Sequence, residues 1–80
     1  MQLHIYSLKK VLFEGEAKSL TVRSTGGELT ILDNHLPLIT MLQAGPLKVI
    51  NDKGTAQRID IISGFLEVKP ESVVTVLADI

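Results

Sequence analysis

The sequence predicts an all-β fold, an antiparallel β-sandwich or flattened barrel of about ten short strands. Three observations point to it. Apolar residues recur mostly at every second position, β-branched residues crowd the segments that show this alternation, and turn-forming pairs separate those segments at intervals of roughly ten residues.

The first strand is expected where Leu3 and Ile5 alternate with His4 and Tyr6. Val11–Glu14 follows, and then Leu20 and Val22 alternating with Thr21 and Arg23. Gly26-Gly27 supplies the permissive backbone of a hairpin leading into Glu28–Leu32, and Asp33-Asn34 marks the next reversal. Leu36–Leu42 is the one segment with some helical character. Its Pro37 and two β-branched residues predict a strand or a single turn there. Gly45-Pro46, Asn51-Asp52-Lys53-Gly54 and Pro70-Glu71-Ser72 bound the remaining candidates, which are Leu47–Asn51, Ala56–Ile62, Phe65–Lys69 and Val73–Ala78. Ser63-Gly64-Phe65 interrupts an apolar run, which predicts either a kinked strand or a close approach of two backbones, the kink being the simpler expectation.

No repeat, low-complexity stretch or Pro/Gly/Ser-rich linker divides the chain, so residues 1–80 are expected to form one domain. A chain of 80 residues buries only about 60% of the surface that its unfolded form exposes, so nearly every apolar residue is needed for the core. No apolar run approaches the ~18 residues that cross a bilayer, and no direct membrane insertion is expected. The opening Met1-Gln2-Leu3-His4 has no basic stretch followed by an apolar one, so no secretory signal is expected either.

Cysteine is absent, which removes disulfides, thiolate metal sites and cysteine nucleophiles together. The net charge is −1 and the eight Lys and Arg are scattered, so the basic footprint of a nucleic-acid binder is missing. Aromatic residues make up 4%, too few for base-stacking or sugar-binding shelves. His4 and His35 have no carboxylates at metal-ligand spacing, and no metal site is expected. No serine sits in a Gly-x-Ser-x-Gly elbow, and Gly26-Gly27 lacks the Gly-x-x-x-x-Gly-Lys pattern of a phosphate cradle. The reading is of a chain with no catalytic residue, cofactor or small-molecule substrate. A denser feature is the cluster Leu36, Leu38, Ile39, Met41 and Leu42, more apolar than one strand face can bury, which predicts that part of it faces a partner.

Two segments resemble a known family. Gly27-Glu28-Leu29-Thr30-Ile31-Leu32-Asp33-Asn34-His35-Leu36-Pro37-Leu38-Ile39-Thr40 resembles the Gly-Glu-Leu-Gly-Ile-Leu-Pro-Asn-His-Ala-Pro-Leu-Ile-Thr signature of ATP synthase epsilon subunits. Ser63-Gly64-Phe65-Leu66-Glu67-Val68 and Val74-Thr75-Val76-Leu77-Ala78-Asp79 are similar to the Gly-Gly-Phe-Leu-Glu-Val and Val-Thr-Val-Leu-Ala-Asp segments of the same domain, and the opening through Gly15 is similar too. Thr30, Asp33, Leu36 and Ser63 depart from the family's glycine, proline, alanine and glycine.

The resemblance implies a ten-stranded sandwich in the rotor stalk of a proton-translocating F-type ATP synthase, peripheral on the cytoplasmic face of the bacterial cell membrane. It implies a short form without the two-helix domain into which many members continue. By position in the family, Thr25, Gly26, Gly27 and Glu28 would face the membrane c-ring, with Glu28 in the loop Thr25–Thr30. Ser7, His35, Leu36 and Leu42 would lie toward the gamma subunit. From composition alone, a freestanding peptide- or carbohydrate-binding β-sandwich is the alternative, and the scarcity of aromatics counts against its carbohydrate version.

Overall fold

The computed structural model describes residues 1–80. Its strands are β1 (Gln2–Tyr6), β2 (Val11–Ser24), β3 (Gly27–Ile31), β4 (Leu38–Leu42), β5 (Gly45–Asn51), β6 (Ala56–Ile61), β7 (Ser63–Lys69) and β8 (Val73–Asp79), with a 3-10 turn at Pro70–Ser72 between the last two. The strands number eight, where the sequence reading expected about ten. The difference lies mainly in β2, which fuses two expected strands into one of 14 residues. Where those two were to part, a register shift between Ala17 and Ser19 bends the strand without ending it. The Leu36–Leu42 segment settles as a strand once past Pro37.

The eight strands form one sheet with path β1-β8-β7-β4-β2-β5-β6, and β3 hangs on β2. Because β1 also pairs with β2, the sheet curls round and closes on itself. One layer is β1, β8, β7, β4 and the first half of β2; the other is β3, the second half of β2, β5 and β6. All pairings are antiparallel except β1 with β8, which run parallel from Gln2 opposite Val73 to Tyr6 opposite Leu77. A parallel neighbour is possible because strands from the two ends of the chain need no short connection between them.

Period-two alternation places the core. Leu3, Ile5, Leu66, Val68, Val74 and Val76 point inward from the first layer, and Leu20, Val22, Ile31, Leu47 and Val49 from the second. Met1 joins the same cluster. Gly64 sits in an unbroken β7, so no kink is present: the close approach is the reason for the glycine. A Cβ at Gly64 would stand 2.6 Å from the Leu77 carbonyl oxygen, with β8 backbone pressed against it.

Candidate functional surfaces

The hairpin that joins β2 to β3 is closed by only two residues, Thr25 and Gly26, since Ser24 stands directly opposite Gly27. The Ser24 hydroxyl donates to the Gly27 carbonyl at 2.9 Å and accepts from the Gly26 amide at 3.3 Å. Gly27 has φ of +116°, a backbone conformation that side chains rarely adopt, so glycine is required there. Thr25, Gly26, Gly27 and Glu28 are therefore brought together as one exposed tip. Glu28 departs from the expected loop placement: it is the second residue of β3, in register with Arg23. The Arg23 guanidinium instead lies over Gly45, about where a Cβ there would make ordinary contact at 3.7 Å, and Glu28 makes no ion pair. Its carboxylate is free to meet an outside group.

The second expected set does not converge on one spot. Ser7 follows β1, where its hydroxyl accepts from the Lys10 amide at 3.2 Å and its own amide donates to the Lys10 carbonyl at 2.8 Å. Ser7 thus builds the turn and leaves Leu8 fully exposed at its crest. His35 and Leu36 precede β4, which pairs with β7 from Leu38 opposite Val68 to Leu42 opposite Gly64. Gly64 pairs with Ala78 and Tyr6 with Leu77, so Ser7 lies at one end of this layer and His35 at the other, the strands between them spanning about 17 Å. Leu42 corrects the expectation. It is 4% exposed and part of the core, because alternation from the outward Ile39 and Met41 turns it inward. Its side chain has no surface to offer a partner, whereas Leu36 is 79% exposed.

Between those ends runs a feature that sequence reasoning found only in part. Val11 stands opposite Tyr6, Tyr6 opposite Leu77, Leu77 opposite Phe65 and Phe65 opposite Met41. Residues directly opposite share a face, so five neighbouring strands present one transverse apolar row to solvent. Val11, Leu77, Phe65 and Met41 are each more than half exposed, and Ile39, beside Phe65 and Leu77, is 71% exposed. The excess apolar cluster after His35 contributes Ile39 and Met41 to this face. The remaining members could have been found at strand positions that should be polar by alternation, such as Phe65 and Leu77. Two residues along the strands the face turns polar from β2 to β7, with Glu14, His4, Thr75 and Glu67 in register; the Tyr6 hydroxyl and the Glu14 carboxylate both approach His4 Nδ1, at 3.2 and 3.3 Å.

The loop that carries His35 is held from several sides. The His35 amide donates to the Leu32 carbonyl at 3.2 Å, and its Nδ1–H donates to the Leu36 carbonyl at 2.8 Å, folding the ring back on its own loop. The Met1 ammonium donates to the Ala17 carbonyl at 2.9 Å and to Asp33 Oδ1 at 2.5 Å, with Glu16 at 3.5 Å. Burial works against its charge, but the Asp33 and Glu16 carboxylates outweigh that and raise its pKa above 8.0.

The chain matches the family model described as ATP synthase, Delta/Epsilon chain, beta-sandwich domain, over residues 1–80. The ATP synthase epsilon chain of Acinetobacter baumannii (strain SDF) is 46% identical over 79 residues, covering 99% of this chain and 56% of its own length. That of Bordetella petrii is 40% identical, covering 99% and 55%. The chain thus spans little more than half the length of these relatives. Among solved structures, a chain of the Euglena gracilis mitochondrial ATP synthase superposes with a TM-score of 0.91 at 24% identity, over 98% of this chain and 49% of that one. A chain of the Tetrahymena thermophila mitochondrial ATP synthase, from a structure of its central stalk and c-ring, gives 0.83 at 16% identity, over 99% and 63%. These two likenesses establish the β-sandwich fold.

Proposed function

The chain belongs to the ATP synthase delta/epsilon-chain β-sandwich family, and from that premise we propose that it is a non-catalytic rotor-stalk subunit of a proton-translocating F-type ATP synthase. Its 80 residues form the β-sandwich domain that docks the gamma subunit to the membrane c-ring, and so helps couple proton transport to ATP synthesis. It works peripherally, on the cytoplasmic face of the bacterial cell membrane. No chemistry is asked of it: a stiff closed sheet transmits torque through two docking surfaces.

The observation that carries this reading is the transverse apolar row on an otherwise well-satisfied sandwich. A solvated sheet face would alternate to polar residues, and five apolar side chains in register leave a patch suited to a protein partner. The gamma subunit would cover that face, bounded by Ser7 at one end and by His35 and Leu36 at the other. The hairpin tip Thr25–Glu28, polar and carrying a free carboxylate, suits the polar loops of a c-ring. A peptide-binding module would instead use an edge or a groove.

Site-directed cross-linking in assembled membranes tests the assignment of the surfaces. Cysteine at Glu28 is expected to join the c subunit, and cysteine at Leu36 or Phe65 to join gamma. The reverse pattern would reject the two surfaces as assigned.

A further inference from the structure

Three left-handed residues that are not glycine occur in this chain, Asn34, Glu71 and Ser72, with φ of 63°, 68° and 59°. Such backbone is strained for side chains other than glycine, least for Asn, and persists only where the surroundings hold it. All three meet at one place. The Ser72 hydroxyl accepts the Asn34 amide hydrogen at 2.8 Å, across 38 residues of chain. Asn34, Glu71 and Ser72 also line a shared shallow cavity with Met1, Glu16 and Asp33.

The segment Leu32–Pro37 has reason to need such help. It leaves β3 in one layer and enters β4 in the other, so it has no strand neighbour along its length. Its carbonyls satisfy His35 internally, but Asn34 reaches outside the loop for its acceptor, and Asp33 for its cation. The connection between β7 and β8 is the three residues Pro70–Ser72, closed by Lys69 opposite Val73, and Ser72 is its last residue. The strained turn aims a hydroxyl at the loop.

We propose that Ser72 is a positioning residue for the partner-binding loop: its hydroxyl latches Asn34 and thereby presents His35 and Leu36 in a preformed docking conformation. The consequence for binding rests on the gamma-docking reading above; the latch itself does not. Ordering a loop in advance removes that cost from association, so the latch acts on affinity more than on the fold.

Ser72→Gly separates the two roles, since glycine relieves the left-handed strain while deleting the acceptor. Amide hydrogen exchange of the 80-residue chain is measured alongside its affinity for purified gamma subunit, for the parent chain, Ser72→Gly, Glu71→Gly and Ser72→Asn. Ser72→Gly is expected to speed exchange at the Asn34 amide and to weaken gamma binding about fivefold, the worth of roughly one neutral hydrogen bond, without lowering the denaturation midpoint. Glu71→Gly, which relieves strain beside the latch, is expected to leave both unchanged. Ser72→Asn, which tolerates the same φ and offers a carbonyl acceptor, is expected to recover part of the loss. Parent-like exchange at Asn34 in Ser72→Gly overturns the latch. Faster exchange with unchanged gamma affinity overturns its role in docking. If the parent chain does not bind gamma at all, the docking reading fails, and the exchange measurement still decides the latch.

Discussion

The Leu77 carbonyl oxygen lies 2.6 Å from the place where a Cβ on Gly64 would stand, and the β8 backbone around it has no side chain to move aside. Gly64 also pairs with Leu42, so the contact ties β8, β7 and β4 together at the end of the sandwich where Ser7 leaves β1. Gly64→Ala is expected to destabilise the chain by about 2 kcal/mol, an overpacking cost against backbone, measurable as a lower denaturant midpoint at unchanged slope. A stability equal to the parent's would mean that β7 and β8 separate more easily than their register implies.

Stability should fall at alkaline pH through a single amine. The Met1 ammonium has a raised pKa in the folded chain, so its contribution is complete below the ordinary value of 8.0 and is lost as pH rises through the folded one. Asp33→Asn removes its nearest carboxylate. The urea midpoint of the parent is expected to drop between about pH 7 and about pH 10 by more than that of Asp33→Asn, whereas equal drops would remove the Met1–Asp33 pair as the cause.

Leu42 and Leu36 separate packing from docking. Leu42→Ala deletes a core side chain and is expected to cost about 3 kcal/mol of folding stability. Leu36→Asp changes an exposed side chain and is expected to leave stability within about 0.5 kcal/mol while weakening gamma binding by about 2 kcal/mol. Thermal denaturation and a gamma titration on both variants check the split. Gamma affinity that survives Leu36→Asp would remove that residue from the docking surface.

Glu28→Lys reverses the free carboxylate at the hairpin tip. Contact with the c-ring is expected to weaken by about 1 kcal/mol at a wet rim, so ATP-driven proton pumping falls more than ATP hydrolysis does, with gamma affinity nearly intact. Parallel loss of pumping and hydrolysis would argue for a defect in assembly instead.

Most of the architecture was legible in the sequence because the strands follow strict alternation: Leu3 and Ile5, Leu20 and Val22, and Val74 and Val76 are all inward core residues, as their spacing predicts. The continuity of β2 was not legible. Residues 15–19 carry neither a turn signal nor clear alternation, and only the pairing of β1 with one half and β5 with the other shows a single bent strand. The hairpin tip was legible from Gly26-Gly27, whereas the inward turn of Leu42 depended on a register that the adjacent apolar pairs Leu38-Ile39 and Met41-Leu42 leave ambiguous. The transverse row from Val11 to Met41 was legible only in part, through apolar residues at positions that alternation makes outward, because its members come from five strands and their opposition is a property of the assembled sheet. The Ser72 latch is of the same kind, a hydrogen bond between residues 38 apart.

The central claim, that this chain is a stalk subunit joining gamma to the c-ring, is tested most directly by capturing the tagged chain from gently solubilised membranes and identifying its companions. Gamma is expected together with the catalytic subunits of the ATP synthase, and subunit c is expected with the parent chain in larger amount than with Glu28→Lys. Capture of neither gamma nor subunit c, from membranes that contain an assembled synthase, would contradict the claim.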